Sequence, residues 1–398
     1  MTPPLESPHA APGADLLARV AALAPLIAGS ADEIERSRRL PHPLVAAMKQ
    51  AELFRMLLPR AYGGGEIDPL SFVHIIEAIA RLDASTAWVL CQTSVAAMIA
   101  ARLSPDAASA MFGDPDAILS WGPSSDARAL VVPGGYRVSG TFSFASGCWY
   151  ATWLGGDCAI VERDGSIRRQ ASGRPETRRV LFPAAGVQMR DIWNVIGLKG
   201  TGSDGYIVKD LFVPEEFTVA RLDDPAERRI MSSLYALTPY NMFAAGFAGL
   251  AVGLARSLVE AFIALAKEKT PRGFKTTLRD DGATQMELGH AEARLRAARM
   301  YLFGTIADGW DEARRNNMLT LDTRMAIRLA VTYAIRQAKE VADTMYDAAG
   351  TTAVFASSPF ERRMRDIHAV ALQLQGRKSH FVTVGQHLLG IETELGWI

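Results

Sequence analysis

Hydrophobic positions along this chain recur with two different periods, and the changes of period divide it into three. From about residue 15 to residue 112 apolar side chains return every third or fourth place. Leu16, Val20, Leu23 and Ile27 share one stripe of a predicted helix. Pro25 falls inside that stripe and predicts a kink or two shorter pieces. Pro43-Leu44-Val45 opens a second helical run toward Phe54, and the glycines of Pro59-Arg60-Ala61-Tyr62-Gly63-Gly64-Gly65 predict a loop. Helical spacing resumes at Leu70, and Asp83-Ala84-Ser85-Thr86 offers a break or cap before a run over 87–103. Between about 116 and 219 the runs become short, β-branched or aromatic, and bounded by Gly, Pro, Asp or Ser. They predict strands over 117–121, 135–140, 153–161, 179–182 and 206–213, with Gly134-Gly135 as a hairpin turn. From about 225 onward helical spacing returns over 242–266, 285–313, 323–349 and 367–389, four helices that suit a bundle. The expected class is therefore mainly α with a central antiparallel β domain: a disordered tail at 1–14, an N-terminal helical domain at 15–115, the β domain at 116–224 and a four-helix bundle at 225–398.

Composition narrows the partners. At 398 residues the chain is too long for one simple core. Lys and Arg total 43, as do Asp and Glu, so no basic field draws in nucleic acid or an anionic membrane. An anionic ligand must be held by local Arg or Lys residues or by backbone donors. Apolar runs such as 244–254 read as buried helix, too short to span a bilayer. Cys91, Cys148 and Cys158 make no CxxC pair and read as reduced thiols in a cytoplasmic protein, and no metal-ligand spacing occurs.

Gly200-Thr201-Gly202-Ser203-Asp204-Gly205 satisfies the dinucleotide pattern GxGxxG, but that mechanism needs a helix next, and the following Tyr206-Ile207-Val208 reads as strand. The better reading is a tight turn whose N–H groups and hydroxyls Thr201 and Ser203 face a ligand. Gly197-Leu198-Lys199-Gly200-Thr201-Gly202-Ser203, followed by Val208-Lys209-Asp210-Leu211-Phe212-Val213-Pro214, resembles the middle-domain signature of the acyl-CoA dehydrogenase superfamily. Leu58-Pro59-Arg60-Ala61-Tyr62-Gly63-Gly64 resembles its N-terminal loop. Arg272-Gly273-Phe274, then Gln285 and the helix from Ala291 to Arg299, resemble its segment that approaches the flavin of a neighbouring subunit. The resemblance implies an N-terminal helical domain, a β-barrel and a C-terminal four-helix bundle that assembles a homotetramer.

Two stretches, Gly140-Thr141-Phe142-Ser143-Phe144-Ala145-Ser146-Gly147 and Arg365-Asp366-Ile367-His368, resemble the flavin-dependent monooxygenase branch of that family. A dehydrogenase needs a carboxylate base beside the thioester, and no Asp or Glu follows His368 as far as Gln375-Gly376. The branch implies the oxygenase component of a two-component enzyme. It takes reduced FMN or FAD from a separate NAD(P)H:flavin reductase, forms a C4a-hydroperoxide with O2, and oxygenates a small aromatic, heterocyclic or natural-product substrate. An acyl-CoA dehydrogenase-like oxidoreductase and a non-catalytic flavin-binding subunit are the alternatives. Implied catalytic residues are Ser146, bonded near the flavin N5, and His368, a base toward substrate or a donor to the peroxide, since an imidazole titrates near neutrality. Trp121, Phe144, Thr201, Ser203, Arg272, Phe274 and Gln375 are candidate flavin contacts, with Lys275 a second cation for its phosphate. Trp88 and Gln92, where some members carry a His, are candidate substrate contacts together with His368. Trp149, Tyr150 and Trp153 fit an aromatic pocket or a core equally well, and His74, His290, His380 and His387 read as structural.

Overall fold

The computed structural model describes residues 12–222 and 224–392. Most of the stretch expected to be a tail lies outside them, and the first helix already starts at Pro12. Six helices come first: α1 Pro12–Gly29, α2 Ala31–Ser37, α3 His42–Gln50, α4 Pro69–Ala80, α5 Ala84–Ala97 and α6 Pro105–Phe112. Asp83 caps α5, its carboxylate accepting the Thr86 N–H at 2.6 Å. Pro25 does not break α1. The carbonyl that it deprives of a partner belongs to the exposed Ala21, so the unmade bond is not buried, and the chain bends by 58° between α1 and α2.

Eight strands follow: β1 Leu119–Trp121, β2 Arg128–Val132, β3 Gly135–Phe142, β4 Trp153–Val161, β5 Thr177–Pro183, β6 Gln188–Arg190, β7 Gly205–Pro214 and β8 Thr218–Val219. They order as β6-β7-β3-β2-β4-β5-β8, with β1 on β4. The sheet is mixed rather than antiparallel throughout, because β4 runs parallel to both β1 and β2. After the β2–β3 hairpin the chain crosses back over β2 before it pairs again, and that crossing, 143–152, carries Phe144 and Ser146. The ladder does not close into a hydrogen-bonded barrel. It curls so that Phe142, Phe182 and Tyr206 stack inside it and the Tyr206 hydroxyl reaches the Gly155 carbonyl at 2.5 Å. The hairpin turn sits one residue earlier than expected, at Pro133-Gly134. Gly134 supplies the positive φ of 79°, and Gly135 already lies in β3.

The last helices are α7 Pro239–Glu268, α8 Gly282–Asn316, α9 Leu321–Ala349, α10 Pro359–Leu372 and α11 Ser379–Leu388. The run expected over 367–389 is two helices. Ser358 and Pro359 start α10 eight residues early, and the turn at 374–376 separates it from α11. Helix α7 opens on a capping box between Thr238 and Asn241 and is buried along most of its length by α4, α5, α9 and α10. The two helical regions therefore share one hydrophobic core, and the strands enclose their own. Length does not exclude a membrane span, contrary to the sequence reading, since α7 and the segment Ala84–Ala101 both reach it. Their apolarity is used inside the protein, with 67% and 89% of those windows buried.

Candidate active site

A cavity of about 400 Å3 lies where the helical body meets the sheet. Helix α5 supplies Trp88 and Gln92, and the 143–152 crossing supplies Phe144 and Ser146. The connection between β6 and β7 supplies Trp193, Val195, Ile196, Leu198, Thr201 and Ser203, and the end of α10 supplies Ala369, Leu372 and the adjoining Gln373. No Asp or Glu is among these described lining residues. Most of the wall is aromatic or aliphatic, the usual make-up of a site that orients a flat apolar ligand with few polar groups. A larger groove of about 640 Å3 beside Lys49, Tyr62 and Asp116 is open, with polar and apolar surface in similar measure. The deeply placed Arg55 there spends its N–H groups on the carbonyls of Phe112, Gly63 and Asp114.

The polar side of the cavity is a row of hydroxyls. Trp88 Nε1 donates to Ser146 Oγ at 2.9 Å, Ser146 Oγ lies 2.6 Å from Ser203 Oγ, and Ser203 Oγ lies 2.7 Å from Thr201 Oγ1. Thr201 Oγ1 in turn donates to the Leu198 carbonyl at 2.8 Å. All three hydroxyl residues are buried. Trp88 is itself stacked on Phe247, 4.2 Å between centroids. Phe144 has the opposite character. Its φ of 55° is left-handed for a residue with a Cβ, and its ring is 64% exposed, edge-on to Trp193. Strain of this kind persists where surrounding structure enforces it, here at the cavity mouth.

Two buried carboxylates pin the wall between β6 and β7. Asp204 Oδ1 accepts the N–H groups of Ile192 and Trp193, each at 2.7 Å, and its Oδ2 accepts Trp149 Nε1 at 2.6 Å. Asp366, on α10, accepts the Leu198 N–H at 2.6 Å. Burial pushes the Asp366 carboxyl up to about 7 against the opposing effect of that hydrogen bond.

The structure brings Trp88, Gln92, Phe144, Ser146, Thr201 and Ser203 together around one cavity and leaves the other candidates outside its lining. Trp121 is 6% exposed, its ring under the Arg179 guanidinium at 4.1 Å and edge-on to Phe243. It fills the core rather than flanking a ligand. Gln375 is buried, and its carbonyl oxygen is taken by Arg328. Arg272, Phe274 and Lys275 lie on an exposed loop before α8. His368 stands one residue before Ala369, but its Nε2 faces α9, 2.9 Å from Asp343 Oδ1. Trp149, Tyr150 and Trp153 pack instead on Asp204, the Leu40 carbonyl and Phe217. Sequence reasoning missed Trp193, Gln373 and the clamping role of Asp204 and Asp366. The two aspartates were legible only as parts of quoted motifs. Gln373 was masked by the helix expected to run through it.

The residues present fit an isoalloxazine. Aromatic and aliphatic walls suit its faces and the hydroxyl row suits one polar edge. Gln373 Nε2 is buried with no hydrogen-bond partner among the described residues, a donor suited to a ring carbonyl.

Comparison with known proteins agrees with this geometry. Residues 20–110 match the family model described as the acyl-CoA dehydrogenase N-terminal domain, and residues 245–375 match the one for its C-terminal domain. The chain is 28% identical over 361 residues to the flavin-dependent monooxygenase oxygenase subunit HsaA of Rhodococcus jostii, covering 88% of this chain and 92% of that one. It is 29% identical over 402 residues to the FADH(2)-dependent resorcinol hydroxylase oxygenase component of a Rhizobium species, covering 96% and 95%. The crystal structure of 3-HSA hydroxylase from Rhodococcus sp. RHA1 superposes with a TM-score of 0.88 at 25% identity, covering 96% of this chain and 99% of that one.

Proposed function

The chain belongs to the acyl-CoA dehydrogenase superfamily, in the branch of two-component flavin monooxygenase oxygenase components, and from that premise we propose that its cavity binds reduced FMN or FAD and oxygenates a small aromatic or heterocyclic compound with O2. The observation that carries this reading is the lining itself: apolar walls, one row of hydroxyls and, among the described residues, no carboxylate. Bound there, reduced flavin supplies the two electrons with which O2 is divided between substrate and water. Abstraction of a proton beside a thioester carbonyl, the dehydrogenase alternative, requires a base that this lining does not supply. The nearby Asp366 is buried and committed to the Leu198 N–H.

The chain's own residues bind, orient and exclude water. Trp88, Phe144 and Trp193 bracket a flat ligand and keep solvent from it. Ser146 positions the polar edge of the ring, and Gln373 meets a carbonyl. Gln92, at the position where some relatives were expected to place a His, hydrogen-bonds the substrate. His368 takes the substrate's proton, with Asp343 holding its Nε2 and leaving Nδ1 as the accepting atom. The role is supported by the resemblance at Arg365-Asp366-Ile367-His368; the side chain itself stands outside the cavity lining, with its Nε2 on α9.

Reduced flavin comes from a separate reductase, as the relatives' description as oxygenase components implies. A homotetramer is supported by the apolar side chains left exposed on the C-terminal helices and the turns beside them, among them Met300, Phe355, Leu372, Val382, Leu388 and Leu389. A cytoplasmic setting is supported by three buried free thiols.

Anaerobic mixing of the purified chain with reduced FMN or FAD, followed by rapid mixing with O2 with and without a panel of phenols and indoles, tests the proposal. A near-ultraviolet spectrum distinct from oxidised and reduced flavin, with substrate-dependent product, is the expected result. Bleaching of the oxidised flavoprotein by acyl-CoA thioesters, with no such spectrum under any condition, overturns it.

A further inference from the structure

The direction of the hydroxyl row follows from counting hydrogens. An indole N–H can only donate, so Ser146 Oγ accepts at the Trp88 end. A peptide carbonyl can only accept, so the single hydroxyl hydrogen of Thr201 lies on the Leu198 oxygen. The 2.7 Å contact between Thr201 and Ser203 then needs the hydrogen of Ser203. The 2.6 Å contact between Ser203 and Ser146 needs the hydrogen of Ser146. Every hydrogen runs one way, from Trp88 to Leu198. Ser146 therefore faces the cavity with one unused lone pair and no hydrogen. Its main chain is fixed as well, with the carbonyl accepting from Ser120 Oγ at 2.8 Å and the N–H donating to the Phe144 carbonyl at 3.1 Å.

We infer that this polarity selects the redox state of the bound flavin: Thr201, acting through Ser203, makes Ser146 an acceptor, and the site thereby prefers the reduced ring, whose N5 bears a hydrogen, over the oxidised ring, whose N5 bears only a lone pair. The inference rests on the flavin reading of the cavity, with Ser146 meeting N5 as the family resemblance implies. Thr201 and Ser203 are positioning residues in it, since they act through the Ser146 oxygen. Reduced flavin completes the row with an N–H donor. Oxidised flavin sets two lone pairs against each other and leaves its buried N5 unpaired, a mismatch worth roughly 10- to 100-fold in binding. Leu198 is the sink of the row, and its own N–H is held by Asp366, so α10 fixes the far end on which the direction depends.

The polarity can be reversed by one substitution. In Thr201→Val the shape is nearly kept but the sink is lost. The hydrogen of Ser203 then turns to Ser146, which now accepts from both Ser203 and Trp88 and points its own hydrogen into the cavity. Ser203→Ala frees the same hydrogen by removing its acceptor. Thr201→Ser keeps the hydroxyl and the original direction. The experiment is anaerobic titration of full-length wild type and these three variants with FMNH2, FMN, FADH2 and FAD, with thermal melting to check folding. For wild type, the Kd of oxidised flavin is expected to exceed that of reduced flavin by roughly tenfold or more. Thr201→Val and Ser203→Ala should lower that ratio by about tenfold, equal to a change of about 30 mV in the two-electron potential of the bound flavin. Thr201→Ser should retain the wild-type ratio. A folded Thr201→Val or Ser203→Ala protein that weakens both redox states equally, or keeps the wild-type ratio, overturns the inference and leaves the flavin site standing. Wild type that binds neither flavin in either state overturns the flavin reading and the inference with it.

Discussion

Asp366 and His368 sit two residues apart in the same quoted motif and have different tasks. Asp366 is a buried carboxyl whose protonation is linked to stability. Its pKa is raised to about 7 in the folded chain, mainly by burial, against an ordinary value of 3.8. Between about pH 4 and pH 7 the native state therefore holds more of this proton than the unfolded chain does. Its contribution to stability falls across that window and is flat above it. From pH 5 to pH 7 we expect the melting temperature of Asp366→Asn to change in the more favourable direction than that of wild type, while His74 and His380, held below the ordinary imidazole value by burial, add a rise common to both proteins. Asp83, raised in the same direction as Asp366 by burial, adds a fall common to both proteins. Parallel curves for the two proteins would refute the assignment. For His368, a proton acceptor contributes typically 100-fold or more to turnover. His368→Ala should lose about that much in kcat while the Kd for reduced flavin changes by only about threefold. Loss of both in equal measure would remove His368 from the chemistry.

At the level of elements, the periodicities in the sequence carry the three regions and most helix centres, because burial of one face imposes a 3.6-residue repeat whatever the partner is. Helix ends were legible where a cap was written in the chain, as at Asp83, and missed where proline and serine act together, as at Ser358-Pro359. Parallel pairing of β4 was not legible. Strand composition records burial but not neighbour or direction, and the crossing at 143–152 has no local pattern of its own. The site shows the same division. Ser146, Thr201 and Ser203 stand out in the sequence because they occur in motifs, and the structure sets them around one cavity. Trp121 and Gln375 lie outside that lining, and an aromatic or an amide in a core reads like one in a pocket until its partners are known. The capping box at the start of α7 offers a measurement at this scale. Thr238→Ala removes the acceptor for the Asn241 N–H and should cost about 1 kcal/mol. Denaturant unfolding with an unchanged midpoint would show that packing alone sets where α7 begins.

For the whole molecule, the exposed apolar side chains of α11 and the turn after it suit burial against other copies of the chain. Leu388 and Leu389 are 76% and 77% exposed. Charged residues there should be tolerated by the isolated fold and resisted by an assembly. Sedimentation of wild type should give a tetramer, and the double substitution Leu388→Lys, Leu389→Lys should give smaller species. A variant that sediments as wild type does would place the contact elsewhere. The shared core of the two helical regions has a further consequence, for synthesis. Helices α4 and α5 leave the ribosome with apolar faces that α7 covers in the finished protein, and about 140 residues separate the end of α5 from the start of α7. At translation rates of about 5 to 20 residues per second, those faces wait roughly 7 to 28 s for their partner while the whole sheet is being made. The nascent chain in that interval is a client for chaperones, and a ribosome stalled between β1 and β8 would display an aggregation-prone surface that the finished protein never shows.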